Sequence, residues 1–161
     1  MQSITLIVLG KLNAAYYKQA AQEYAKRLSA YCRLEVVELD EELIAEKSAS
    51  PAVIQKALEK EGKAILQAVP KGAALVAMCI EGKQLSSEEL AEYFEKKALE
   101  GISSIAFAVG SSHGLSQEVK QKAQLRLSMS KMTFPHQLAR VMLLEQIYRA
   151  YSINAKSKYH K

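Results

Sequence analysis

Apolar and polar positions along this chain follow two rhythms that take turns. ITLIVL (4–9), ALVAMCI (74–80) and SIAFAV (104–109) are unbroken apolar runs, as expected of strands covered on both faces, and LEVVEL (34–39) alternates with a period of two. LRLSM (125–129) reads as a last, short strand. Between these runs the spacing lengthens to that of a helix. Residues 13–29 are helical in period behind Asn13 as N-cap, and residues 50–69 open with Ser50 and Pro51 in the order favoured at a helix start. Ser86 with Glu89 has the form of a capping box ahead of a helix to about Leu99. Ser116 caps a short helix over 116–123, and a final helix runs from about Pro135 to Ser152. EGK (81–83) reads as a turn that closes the third strand, and DEELIAEKSA (40–49) as a polar, mobile loop. The alternation predicts an α/β fold, a largely parallel sheet flanked by helices. No repeat and no Gly/Ser-rich linker divides the chain, so residues 1–161 are expected to form a single domain.

Composition adds little until charge is placed along the chain. The first apolar stretch lacks a basic flank and a small-residue cleavage site, and nothing approaches the length of a membrane span, so no membrane partner is expected. Cys32 and Cys79 lie far apart in apolar contexts without metal-ligand spacing, which predicts no metal and a reducing, cytoplasmic setting. The formal charge is +5, and residues 131–161 hold six basic groups against Glu145 alone, so the whole excess lies there. That asymmetry points to a polyanionic partner.

Candidate chemistry lies beyond the carboxyl ends of the strands, where open α/β sheets bind ligands. CIEGK, GSSHGLS and SKMTFPH each leave a strand abruptly, and together they predict one pocket made by three loops. Gly110 and Gly114 have neither a dinucleotide nor a P-loop spacing, and His113 between them reads as an exposed loop residue. On the final helix His136, Arg140, Leu143, Leu144, Ile147 and Tyr151 share one face, while Glu145 and Arg149 lie nearly opposite at i, i+4 and can pair. A guanidinium on an apolar stripe needs an anionic or hydrogen-bonding partner. The last 31 residues offer only Glu145, on the wrong face, so an anionic ligand or a second subunit is expected to complete the surroundings of Arg140. The tail NAKSKYHK would fray by composition, yet Tyr159 and His160 amid cations also suit a nucleic acid.

VLGK (8–11), Gly82-Lys83 followed by LSSEELA, the Gly110/Gly114-Leu115-Ser116 loop, the block LSMSKMTFPHQLARVMLLEQIYRAYSI and the terminal YHK carry a resemblance along essentially the whole chain. The chain resembles the ribosomal RNA large subunit methyltransferase H family, the pseudouridine N3-methyltransferases of 23S rRNA, within the SPOUT superfamily. Gly110-Ser111 stands where many relatives have two glycines, and Met78-Cys79 where they have an aliphatic-acidic pair. The resemblance implies an α/β knot (a trefoil), a homodimer with its site near the subunit interface, and S-adenosylmethionine as methyl donor. It implies that the donor is held at Met78, Gly110, Met129, Ser130, Lys131, Met132, Thr133 and Phe134, largely by main chain. It also implies 23S rRNA as substrate, in the large subunit or whole ribosome. The expected chemistry uses Arg140 to stabilise charge on the base, His136 or His160 to accept its proton, and Tyr159 with His160 to position it. Two other classes compete. A non-catalytic ribosome- or RNA-binding module would not bind the methyl donor, and a small-molecule enzyme on a flavodoxin-like sheet would need a phosphate cradle that the loops lack.

Overall fold

A computed structural model describes residues 1–161. Five strands, β1 (Ser3–Leu9), β2 (Arg33–Leu39), β3 (Ala74–Gln84), β4 (Ser104–Val109) and β5 (Leu125–Ser128), form one sheet in the order β2-β1-β4-β3-β5. Every pairing is parallel, so the predicted α/β class holds. The helices α1 (Ala15–Leu28), α2 (Pro51–Ala68), α3 (Ser87–Leu99), α4 (Gln117–Lys122) and α5 (His136–Asn154) supply the crossovers, and a single 3-10 turn at Glu46–Ser48 interrupts the polar 40–49 loop. No helix is long and apolar enough to cross a membrane.

Period-two alternation within the inner strands sends side chains to two separate cores. On one face Ile4, Leu6 and Val8 of β1 with Ile105 and Phe107 of β4 pack under α1, α3 and α5, joined by Phe94, Leu143, Leu144 and Ile147. On the other, Ile7, Leu9, Leu75, Ala77, Ala106 and Ala108 meet Ile65 of α2 and Val119 of α4. Gly62 lets α2 come close to the start of α4, where a Cβ would collide with the Ser116 side chain. The strand runs are continuously apolar because both faces are covered.

Local signals hold at most helix starts. The Ser50, Ser86 and Ser116 hydroxyls accept from the N–H groups of Val53, Glu89 and Val119. Asn13 does not cap α1: the helix begins one residue later behind Ala14, and the Asn13 N–H instead donates to Gln137 Oε1 at 2.8 Å, a tie to α5 that no local pattern announces. EGK is not the end of the third strand either. β3 runs on to Gln84, and its pairing with Leu127 passes from Met78 to Lys83 across a bulge. Gly82 lies flush against the backbone of Arg126 and Leu127, where a Cβ would collide. That close approach lets the strand resume pairing after the bulge.

Candidate active site

The bulge frames a cleft. β3, β4 and β5 are neighbours, so their carboxyl ends deliver three loops side by side, and the three sequence-chosen strand ends do line one cavity of about 750 Å³. Met78 contributes from the last regular pairing of β3, opposite Val109 and Leu127. The loop after β4 is a tight turn: the Gly114 N–H donates to the Ser111 carbonyl at 2.9 Å, Gly114 has φ +90°, and a Cβ on Gly110 would strike the Gly114 carbonyl. Gly at both positions is thus required by the turn itself. The loop after β5 is braced by serines, with the Ser128 hydroxyl donating to the Ser130 carbonyl at 2.9 Å and the Met132 N–H donating to Ser130 Oγ at 3.0 Å. Gly110, Met129, Ser130, Met132, Thr133 and Phe134 all line the cleft, and of the expected set only Lys131 does not. His113 is exposed as expected, but it stands at the cleft wall.

Two charged lining residues cancel. Glu81, pushed out by the bulge, pairs with Lys120 of α4, whose hydrogen bond holds the carboxyl below the usual carboxylate range. Burial pushes the neighbouring Cys79 thiol up. Behind the cleft wall lies a group that sequence reasoning missed. Glu61 of α2 is only 4% exposed and has no cationic partner. Its Oε1 accepts from the Ser111 hydroxyl at 3.1 Å and its Oε2 from the Glu42 N–H at 2.9 Å. Burial raises its pKa against those two hydrogen bonds.

Arg140 requires a correction. It is 3% exposed on the apolar face of α5, as the periodicity predicts, but its counter-charge comes from within its own fold, and only its Nε is left without a partner. Glu38 at the end of β2 meets Nη1 at 3.0 Å, and Nη2 donates to the Gly10 carbonyl at 2.9 Å, with the Leu9 carbonyl at 3.5 Å. The search for a carboxylate near Arg140 in sequence failed because Glu38 is 102 residues away. Arg140 does not line the cleft, and its expected role of stabilising charge on a base loses its geometric basis. It positions: it locks the start of α5 to the ends of β1 and β2. Burial lowers its pKa and Glu38 opposes the shift.

His136, the first residue of α5, lines the cleft four residues before that lock. Tyr159 and His160 do not. The tail folds back on its own α5, and the frayed terminus suggested by composition is absent. The Tyr159 hydroxyl donates to Glu145 Oε1 at 3.1 Å, and its ring packs edge-on to Tyr148 with centroids 4.8 Å apart. Glu145 and Arg149 pair as predicted, at 2.6 Å. Arg149 Nη1 lies 3.1 Å from His160 Nδ1, and a guanidinium only donates, so Nδ1 is the acceptor and the ring proton on Nε2 goes to Glu88 at 2.7 Å. Both His160 nitrogens are engaged in this arrangement, so it has no lone pair with which to take a proton. A second hollow of about 500 Å³ adjoins the cleft, shares Met78, Leu127, Met129 and Phe134 with it, and is otherwise walled by groups such as Tyr24, Met142 and Glu145.

Comparison with known proteins agrees with this geometry. The family model described as "Predicted SPOUT methyltransferase" matches residues 2–160. The ribosomal RNA large subunit methyltransferase H of Clostridium novyi (strain NT) is 51% identical over 160 residues, covering 99% of each chain. Ribosomal RNA large subunit methyltransferase H 1 of Clostridium perfringens (strain SM101 / Type A) is 47% identical over 159 residues, again covering 99% of each. Among solved structures, a probable methylase family protein from Haemophilus influenzae Rd KW20 superposes with a TM-score of 0.56 at 15% identity, covering 98% of this chain and 70% of that one, a likeness of fold.

Proposed function

The chain belongs to the SPOUT methyltransferase family, and from that membership we propose that it transfers a methyl group from S-adenosylmethionine to N3 of a pseudouridine in 23S rRNA of the assembled ribosome, as a cytoplasmic homodimer. The observation that carries the donor's place is the convergence of Met78, Gly110 and the 129–134 loop on one cleft. The cleft fits such a group: its volume lies in the range of cofactor sites, and its wall is main chain and apolar side chain with few competing charges. When bound, S-adenosylmethionine supplies an electrophilic methyl on a sulfonium centre.

The chain's own residues do the rest. The 110–114 turn and the serine-braced 129–134 loop present backbone amides and carbonyls in fixed directions, while the half-buried Met129 and Phe134 give the cleft apolar cover. An imide nitrogen must lose its proton to attack; of the two imidazoles at the cleft wall, His113 and His136, the one on the helix locked by Arg140 is His136, and His136 accepts that proton. Arg140 and Glu38 hold the helix that carries it. Tyr159, His160 and the basic tail receive the RNA in the cleft of the partner subunit, and the second hollow beside α5 supports a facing copy of the chain. The strand order β4-β3-β5, with α5 returning across the end of β1, supports the knotted threading that the family resemblance implies.

Purified protein is incubated with radiolabelled S-adenosylmethionine and with ribosomes or naked 23S rRNA from cells lacking this protein. Label on N3 of a pseudouridine, with ribosomes above naked RNA, is the expected result. Label on another base, or none with donor bound, overturns the substrate assignment. Removing Tyr159–Lys161 is expected to abolish RNA methylation and leave donor binding intact; undiminished methylation returns the tail to a structural role.

A further inference from the structure

A sulfonium donor is a cation and its demethylated product, S-adenosylhomocysteine, is neutral at sulfur, so a turning-over enzyme gains from a site that prefers the first. The charged side chains on the cleft wall do not supply that preference, because Glu81 and Lys120 pair with each other. One carboxylate nearby is not cancelled. Glu61 stands immediately behind the wall, 3.1 Å from the hydroxyl of the lining residue Ser111. It is 4% exposed and held by two hydrogen bonds and no cation. Of the carboxylates around it, Glu41 and Glu42 come from the 40–49 loop, and Glu42 is already neutralised by Lys60 at 3.0 Å.

We propose that Glu61 is a specificity-determining residue: its buried charge, relayed through Ser111, makes the cleft bind the cationic donor in preference to the neutral product. The ionised carboxylate commits the Ser111 hydrogen to Glu61 and leaves the hydroxyl oxygen as an acceptor. Ser111 follows Gly110 directly, so a lone pair and the field of the carboxylate reach the donor loop together. A cationic ligand in the cleft would sense this field at an effective dielectric well below that of water, enough for a roughly tenfold preference. Protonating Glu61 removes the charge and permits the reverse hydrogen bond, so the preference weakens at low pH. His113 and His136 stand on the same wall.

The inference rests on the proposed donor. Its test is calorimetric titration of the wild-type chain, Glu61→Gln and Lys120→Gln with S-adenosylmethionine and with S-adenosylhomocysteine. Gln is isosteric and can still accept from the Glu42 N–H. Glu61→Gln is expected to weaken donor binding roughly tenfold while product binding moves less than about twofold. Lys120→Gln, a substitution at the edge of α4 that frees Glu81, is expected to shift the preference the opposite way. Equal changes for both ligands in Glu61→Gln overturn the assignment of Glu61. Wild-type protein that binds neither ligand overturns the donor assignment with it.

Discussion

The lock between Arg140 and Glu38 makes a prediction whose size follows from burial. Glu38→Gln keeps the shape of the side chain and removes its charge, leaving a guanidinium that is 3% exposed with two backbone carbonyls and no counter-charge. Breaking a fully buried pair by removing one partner costs about 3–5 kcal/mol. The Glu38 side chain is 37% exposed, so water screens part of the pair, and the amide oxygen of Gln still accepts one hydrogen bond. Both effects reduce the expected loss to about 2 kcal/mol. For a domain of this length that is a fall in Tm of about 4–8 °C. Arg140→Ala should fall further, because it also strips the Gly10 carbonyl of its donor and empties the space under α5. Thermal unfolding followed by circular dichroism at a fixed protein concentration measures both. A Glu38→Gln protein that melts within 1 °C of wild type would refute the reasoning, for Arg140 would then need a partner other than Glu38.

Gly62→Ala should destabilise by about 1–3 kcal/mol, read from the urea midpoint, because its Cβ must displace the Ser116 cap of α4. Cys32 is buried and its thiol pushed up to about 11, so at pH 8 roughly one molecule in a thousand carries the thiolate, and a disulfide reagent should modify Cys32 only after denaturation. Glu61 has a pKa above the ordinary 4.5, so the folded state binds its proton more tightly than the unfolded state, and its contribution to stability falls as pH rises through that window. Tm measured against pH should therefore show Glu61→Gln gaining on wild type from about pH 4.5 upward, and a constant difference between the two curves would count against a raised pKa.

The order of elements was legible because each inner strand is apolar on both sides and most helices start at a serine. The three strand ends were legible because parallel topology alone places them together. What stayed hidden depends on partners far apart in sequence. Asn13 was misread as a cap because Gln137, which engages its N–H, lies 124 residues on. The EGK bulge depends on Gly82 meeting Arg126 and Leu127, a contact invisible in either segment alone. Arg140 sits on a buried face as its spacing predicts, but its partner is Glu38 and not the expected ligand or second subunit, since Glu38 has no local mark distinguishing it from other acidic positions of an exposed edge strand. Glu61 is the last residue of the charged stretch EKE (59–61), and only the tertiary packing of α2 places it under Ser111.

The clasp of Arg140 on the Gly10 carbonyl ties together two points 130 residues apart. During synthesis the first of them leaves the ribosome long before the second, so the end of β1 must wait with that oxygen unclaimed until the last helix emerges. A nascent or prematurely ended chain therefore has no fixed α5 and lacks the stretch of cleft wall that His136 and Ala139 supply.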